Sequence, residues 1–286
     1  MTFLSRLEKA EVLDRVVAPL KSAVHALPLG PARDVLHGRV QGHALHPSLV
    51  HLPLGSWLGA SLLDLTGKHP DAARALIAVG LAGAVPTALT GAVDFADQFP
   101  EQQRVGVVHW AANATGVVLY ASSLAARHRG CDGRLLGFAG LAAVAVGGLL
   151  GGHMAYRQGA GVNHASGVAH LVAPGWHTVG APDDFPPGRP VRKLIGDVAV
   201  LLVRVGEGAD GIRALADRCS HLQGPLSEGE VVDGCVICPW HGSTFRLADG
   251  GNVTGPATAS QPVFEVRVAD GAVQVRWPED SADDER

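Results

Sequence analysis

Two short segments carry the residues with the clearest chemistry. Cys219-Ser220-His221 is followed, after sixteen residues, by Cys238-Pro239-Trp240-His241-Gly242. Each segment offers one thiol and one imidazole, soft to borderline ligands suited to zinc or iron. A zinc finger usually pairs both Cys in one knuckle and both His in another. Here each knuckle is mixed, Cys-x-His and then Cys-x-x-His. Mixed loops can deliver both thiolates to one iron and both imidazoles to a second. The spacing therefore allows a zinc site or a two-iron cluster.

The elements around these segments are short. β-Branched runs at 198–205, 212–216, 231–238, 263–268 and 272–277 are separated by Gly, Pro and Asp turns. That spacing predicts an all-β sandwich or small barrel, long enough for one domain with its own core. Residues 170–278 as a whole resemble a Rieske domain. The resemblance is carried by the Cys-x-His and Cys-Pro-x-His-Gly boxes, the Gly255-Pro256-Ala257 loop and the closing strand pair around Val266, Val268 and Gly271. It implies a [2Fe–2S] cluster with Cys219 and Cys238 on the inner iron and His221 and His241 on the outer one. It also implies that Pro256 lies in the loop covering the cluster, and that the Ser243 hydroxyl hydrogen-bonds a bridging sulfide. In respiratory members each box carries a further Cys, and the two form a disulfide; here those positions are Gly224 and Trp240. Cys235 and Cys131 are expected to be free thiols, which suits a reducing compartment. Phe245 stands where high-potential members have Tyr, so the ferredoxin-like branch is the closer resemblance.

The rest of the chain has a different composition. Of 286 residues only 17% are charged, against roughly 25% in ordinary soluble domains. The deficit is local: the stretches 40–63, 75–93, 105–126 and 135–156 contain no Lys, Arg, Asp or Glu. Such runs exclude a single soluble globule, a disordered chain and a basic nucleic-acid binder. Each is close to the roughly 20 apolar residues that cross a bilayer, so four transmembrane helices are predicted. Gly and Ala within them suit close helix packing in lipid. With four spans both termini share one side. That side carries eight Lys and Arg near the spans and the other carries five, which favours cytoplasmic termini and a cytoplasmic Rieske domain.

Ionisable residues inside membrane segments are functional candidates by default. His51 and His109, near the starts of the first and third spans, and His153, near the end of the fourth, are expected close to one membrane face. They are candidates to ligate a b-type haem or to bind a quinone head group. Residues 43–162 also resemble an uncharacterised bacterial four-helix membrane family, through the His46-Pro47…His51-Leu52-Pro53 box and the Gly151-Gly152…Tyr156-Arg157 stretch.

The expected organisation is a cytoplasmic or interfacial N-terminal helix (1–42), an α-helical four-span transmembrane bundle (43–157) and a Gly-rich linker (158–171). An all-β Rieske-type domain (172–278) and an acidic tail (279–286) follow. The expected function is membrane-anchored electron transfer between a membrane component and a separate redox partner, with unidentified donor and acceptor proteins. The alternative is a cluster-bearing sensor or an assembly subunit of a membrane redox complex. A complete Rieske oxygenase would need a catalytic domain after the cluster with two His and a carboxylate on a second iron, and only eight residues follow Pro278.

Overall fold

The computed structural model describes residues 3–206 and 211–278; the acidic tail at 279–286 lies outside the described residues. The chain divides into two compact units. One comprises Met1–Gly38 and Ala44–Gly161, the other Arg39–His43 and Val162–Arg286.

The first unit is helical. Short helices α1 (Phe3–Glu8), α2 (Asp14–His25) and α3 (Ala32–His37) precede α4 (Leu45–Thr66), α5 (Pro70–Ala96), α6 (Pro100–His128) and α7 (Arg134–Gly152). The connections follow from local chemistry. Gly67 ends α4 in the left-handed region at φ 67°, where a residue without Cβ is unstrained. Pro70 and Pro100 start the next two helices, at positions whose N–H has no intrahelical partner. Gln102 Oε1 accepts the Phe99 N–H at 2.9 Å, completing the start of α6. After α7 a π-helical turn, His153–Arg157, continues the helix.

Within the bundle α4 packs chiefly on α5 and α6 on α7. The contacts reveal an internal repeat. Moving 63 residues from α4 into α6 carries His46 to His109, Trp57 to Tyr120 and Asp64 to Arg127. Spacings of 11 and 18 residues are close to whole turns of about 3.6 residues, so each trio lies on one helix face. Each residue meets its counterpart. The His46 and His109 ring centres are 6.3 Å apart, and Trp57 stacks on Tyr120 at 4.5 Å. Arg127 donates to both Asp64 oxygens at 2.9 and 2.6 Å. Moving 60 residues from α5 into α7 likewise carries Gly80 to Gly140. A Cβ at Gly80 would lie 2.3 Å from the Trp57 ring and one at Gly140 2.9 Å from Tyr120.

Among the described residues there are four long helices, and two of them are long and apolar enough to cross a membrane: Pro70–Ala96 with mean hydropathy 1.8 and Arg134–Arg157 with 1.9. The difference from the four predicted spans has a physical reason. α4 and α6 carry the polar inward-facing partners, among them His46, Asp64, His109, Asn113 and Arg127, while α5 and α7 supply mainly small and apolar residues.

The N-terminal segment forms several short helices rather than one continuous helix. Its charges pair with the bundle: Asp14 accepts from Arg104 at 2.7 Å, Glu8 lies 2.7 Å from His153 Nε2, and His37 Nδ1 lies 2.8 Å from Asp94.

The second unit is built on two antiparallel sheets. Strands β1 (His177–Gly180), β2 (Val191–Ile195), β3 (Val198–Arg204), β4 (Ile212–Ala216), β9 (Val263–Ala269) and β10 (Ala272–Arg276) form a six-stranded sheet in the order β1-β10-β9-β4-β3-β2. Strands β5 (Glu230–Val232), β6 (Cys235–Ile237), β7 (Thr244–Arg246) and β8 (Asn252–Thr254) form the smaller sheet. The uninterrupted apolar run of β3 is explained by burial on both faces. Val200 and Leu202 enter one core, and Leu201 and Val203 enter a second, which also holds Cys219 and Cys238. The expected linker is partly structured. Ala165 and Val168 are buried, Val168 within the first of these cores, and the His164 N–H donates to Ser220 O at 2.9 Å.

Candidate metal centre

Both ligand segments are loops leaving strands, and each is fixed by polar groups that replace lost ladder bonds. Cys219 follows β4. On either side of it, buried Gln261 donates to the carbonyls of Ala216 and Arg218 at 2.7 and 2.6 Å and accepts the Ser220 N–H at 3.1 Å. Asp217 accepts the backbone N–H and the hydroxyl of Ser227 at 2.6 and 2.7 Å. The loop then turns at Gln223, whose φ is 67°. Cys238 follows β6, and its N–H donates to Ser243 O at 2.8 Å. Gly242, at φ 73°, closes the turn that returns the chain to β7.

A third loop lies directly on the second. A Cβ at Gly255 would stand 2.6 Å from Ser243 Cα, so only glycine permits this approach. Pro256 beside it is buried. The Ala257 N–H donates to Ser243 Oγ at 3.0 Å. Ser243 is fully buried, and its hydroxyl hydrogen remains to be donated to an acceptor elsewhere.

The four candidate ligands fall into two pairs. Cys219 and Cys238 are 1% and 3% exposed. Sharing one proton with Cys219 holds Cys238 below the ordinary thiol range, aided by the N–H groups of Trp240 and His241. Cys219 is pushed up by sharing its proton with Cys238 and by burial, against the N–H groups of His221 and Leu222. Backbone N–H groups thus point at both sulfurs. The half-buried imidazoles of His221 and His241 pair separately, with ring centres 5.0 Å apart and planes at 86°. Trp240, the neighbour of His241 in sequence, is exposed. A Cβ at Gly224 would lie 2.7 Å from Cys238 Sγ and 3.2 Å from the Trp240 ring, so glycine lets the indole close over this sulfur.

This donor set fits a [2Fe–2S] cluster. Among the described residues no three His, Cys, Asp or Glu side chains form a group that could hold a single metal ion, as tetrahedral zinc would require. A split into two buried thiols and two outer imidazoles is what a cluster with two protein ligands per iron needs. Cys131 is exposed and Cys235 half-buried.

The histidines of the helical unit are arranged otherwise than their sequence positions suggest. His51 is exposed, with Nδ1 3.2 Å from Ser48 O of its own helix. His153 pairs with Glu8. His109 meets neither; its ring faces His46. Sequence reasoning quoted His46 in the family box but did not pair it with His109, and it missed Gln261 and Asp217. The 63-residue repeat was the available signal for His46; the two polar clamps have no local motif.

Residues 175–265 match the family described as Rieske [2Fe-2S] domain. Residues 42–164 match the family described as predicted membrane protein (DUF2231). The chain is 37% identical over 100 residues to the anthranilate 1,2-dioxygenase ferredoxin subunit of Burkholderia cepacia, covering 35% of this chain and 90% of that protein. It is 39% identical over 103 residues to ferredoxin CarAc of Metapseudomonas resinovorans, covering 35% and 92%. Among solved structures it is similar to a chain in the complex of reduced oxygenase and oxidized ferredoxin in carbazole 1,9a-dioxygenase. The identity there is 34%, the coverage 36% and 94%, and the TM-score 0.33.

Proposed function

Because the chain belongs to the Rieske [2Fe–2S] family, we propose that it is a membrane-anchored electron carrier, passing single electrons between a component held by its helical unit and a separate redox protein. The observation that carries this reading is the split donor set: two buried thiols, and two half-buried imidazoles beside exposed Trp240. In this reading Cys219 and Cys238 hold the inner iron and His221 and His241 the outer one. When bound, the cluster supplies one-electron chemistry. The chain's own residues determine where and at what potential. The N–H groups aimed at both sulfurs would spread thiolate charge, and the Ser243 hydroxyl would be available to donate to a bound cluster, favouring its reduced, more negative form. The imidazole end, with Trp240, is the surface offered to a partner. Pro256 and its loop keep water from the opposite side.

The similar ferredoxin subunits are named as parts of dioxygenases, so the soluble partner in this proposal is an oxidoreductase component. The membrane component is a haem or a quinone. In this proposal the helical unit forms the anchor, and its four-span arrangement puts both termini and the cluster in the cytoplasm, following the excess of Lys and Arg on that side.

The test uses the full chain in detergent and then in vesicles. Dithionite reduction should produce a Rieske-type electron paramagnetic resonance signal, and reduced protein returned to native membranes should be reoxidised by a membrane component. A protein that binds zinc and shows no reduced signal would sink the family-based site assignment. A cluster that reduces chemically but never exchanges with membranes or any oxidoreductase would favour the sensor or assembly role.

A further inference from the structure

His46 and His109 occupy equivalent places in the two halves of the helical repeat and meet across the bundle. Their anchoring is also equivalent. His46 Nδ1 lies 2.9 Å from the carbonyl oxygen of Thr87 on α5, and His109 Nδ1 lies 2.7 Å from that of Gly147 on α7. A carbonyl oxygen only accepts, so each Nδ1 carries the proton and each Nε2 keeps a lone pair to offer. An imidazole that donates Nδ1–H to a backbone carbonyl is in the setting that metal-ligating histidines have. Small residues make the room. A Cβ at Gly91 would stand 2.8 Å from the His46 ring, and one at Gly151 3.1 Å from the His109 ring. Asn113 Nδ2 is 3.4 and 3.3 Å from the two nitrogens of His109, so it sits over the ring face, and it donates to His109 O at 2.9 Å.

We infer that His46 and His109 are the two axial ligands of a b-type haem held between the halves of the repeat. The inference deepens the electron-carrier reading and rests on it. Two imidazoles bonded at about 2 Å to opposite sides of one metal ion have ring centres roughly 6 Å apart, and these are at 6.3 Å. A protein-bound zinc ion takes three or four protein donors. Here two imidazoles stand together and, among the described residues, no group of three donors exists. An ion with two protein ligands must bring its other ligands with it, and the porphyrin ring does so. The spacing of the pair suits an iron porphyrin, which needs only two protein ligands. His51 and His153, each engaged elsewhere, take no part.

The test is made on the full chain, expressed with added haem precursor and purified in detergent. Haem is measured by the pyridine haemochrome assay and by the dithionite-reduced spectrum. The expected result is one haem per chain with a Soret band and a sharp α-band. His46→Ala and His109→Ala should each lose it, while His51→Ala and His153→Ala keep it. His109→Met should retain haem and raise its potential, since thioether ligation favours the reduced iron; this variant guards against an Ala substitution that simply unfolds the bundle. Protein without haem, a bound transition ion without a Soret band, or haem kept in both Ala variants would overturn the inference. The electron paramagnetic resonance signal of the reduced cluster is recorded on the same samples. A normal signal without haem defeats this inference alone, whereas a missing signal strikes the electron-carrier reading.

Discussion

The molecule contains two histidine pairs, and they are built by opposite means. His221 and His241 sit on loops that have left their strands, so their positions depend on polar clamps: Gln261, Asp217 and the Ser243–Ala257 bond. His46 and His109 sit on continuous helices. Each ring is aimed by one bond to the neighbouring helix and by glycines that let the helices close in. A loop site can thus be damaged locally and chemically, through single hydrogen bonds. A site between helices is damaged through packing, and any large error there is felt by the whole bundle.

The strongest way to break the comparison is to remove the cluster. Cys238→Ser, or stripping iron from the wild type, should abolish the reduced-cluster resonance while leaving the helical circular dichroism of the bundle unchanged. Loss of helix signal together with the cluster would show that the two units do not fold independently.

The next effect belongs to the bundle. Asp64 and Arg127 form a bidentate ion pair with side chains 5% and 8% exposed. Removing one partner from such a pair costs about 3–5 kcal/mol, because a charge is left buried and uncompensated. Asp64→Leu and Arg127→Leu should each lower the unfolding free energy in detergent by that order, seen as a fall in the unfolding midpoint. The double variant should recover much of it, since an apolar pair needs no desolvation. A double variant as damaged as either single one would mean the ion pair, rather than its isolated charges, holds the halves together. Glycine contacts give a smaller effect. Gly80→Ala places a methyl against the Trp57 ring, whereas Gly148→Ala meets nothing within 4 Å. Overpacking should cost the first about 1–3 kcal/mol and leave the second near neutral, read by thermal unfolding of the two variants in parallel.

The same contrast explains what could be read from the sequence. Cys219, His221, Cys238 and His241 lie within 23 consecutive residues, so short spacing rules expose them. The β architecture was equally legible, because β3 and its neighbours are apolar runs between turn residues. The partner of His109 was not, because it is 63 residues away, and neighbouring polar residues such as His51 look equivalent until the helix faces are fixed. Hydropathy alone overstated the number of strongly apolar helices. α4 lacks charge from its start to Leu63, yet it carries Ser56, Ser61 and two histidines among its apolar residues. The helical start after Pro31 and the folding of Val162–Leu171 onto the second unit depend on tertiary contacts that no local motif announces.

The finest distinction rests on one hydroxyl. Ser243 is fully buried and its oxygen already accepts the Ala257 N–H at 3.0 Å, so its own hydrogen is free to be donated to the cluster. Ser243→Ala removes that donor, keeps the backbone bond from Cys238 to residue 243, and leaves no large cavity. A hydrogen bond to sulfur favours the reduced cluster, so its loss must lower the reduction potential. A single neutral hydrogen bond is worth about 1 kcal/mol, or roughly 40 mV for one electron. Phe245, buried in the core that holds both cysteines, is the complementary position. Phe245→Tyr adds a phenol that should raise the potential if it reaches a cluster ligand, and should otherwise only destabilise the core. Voltammetry on the wild type and both variants decides the matter. A potential unmoved by Ser243→Ala would show that the hydroxyl serves only the Ala257 bond, and that backbone N–H groups alone set the electrostatics of the loop site.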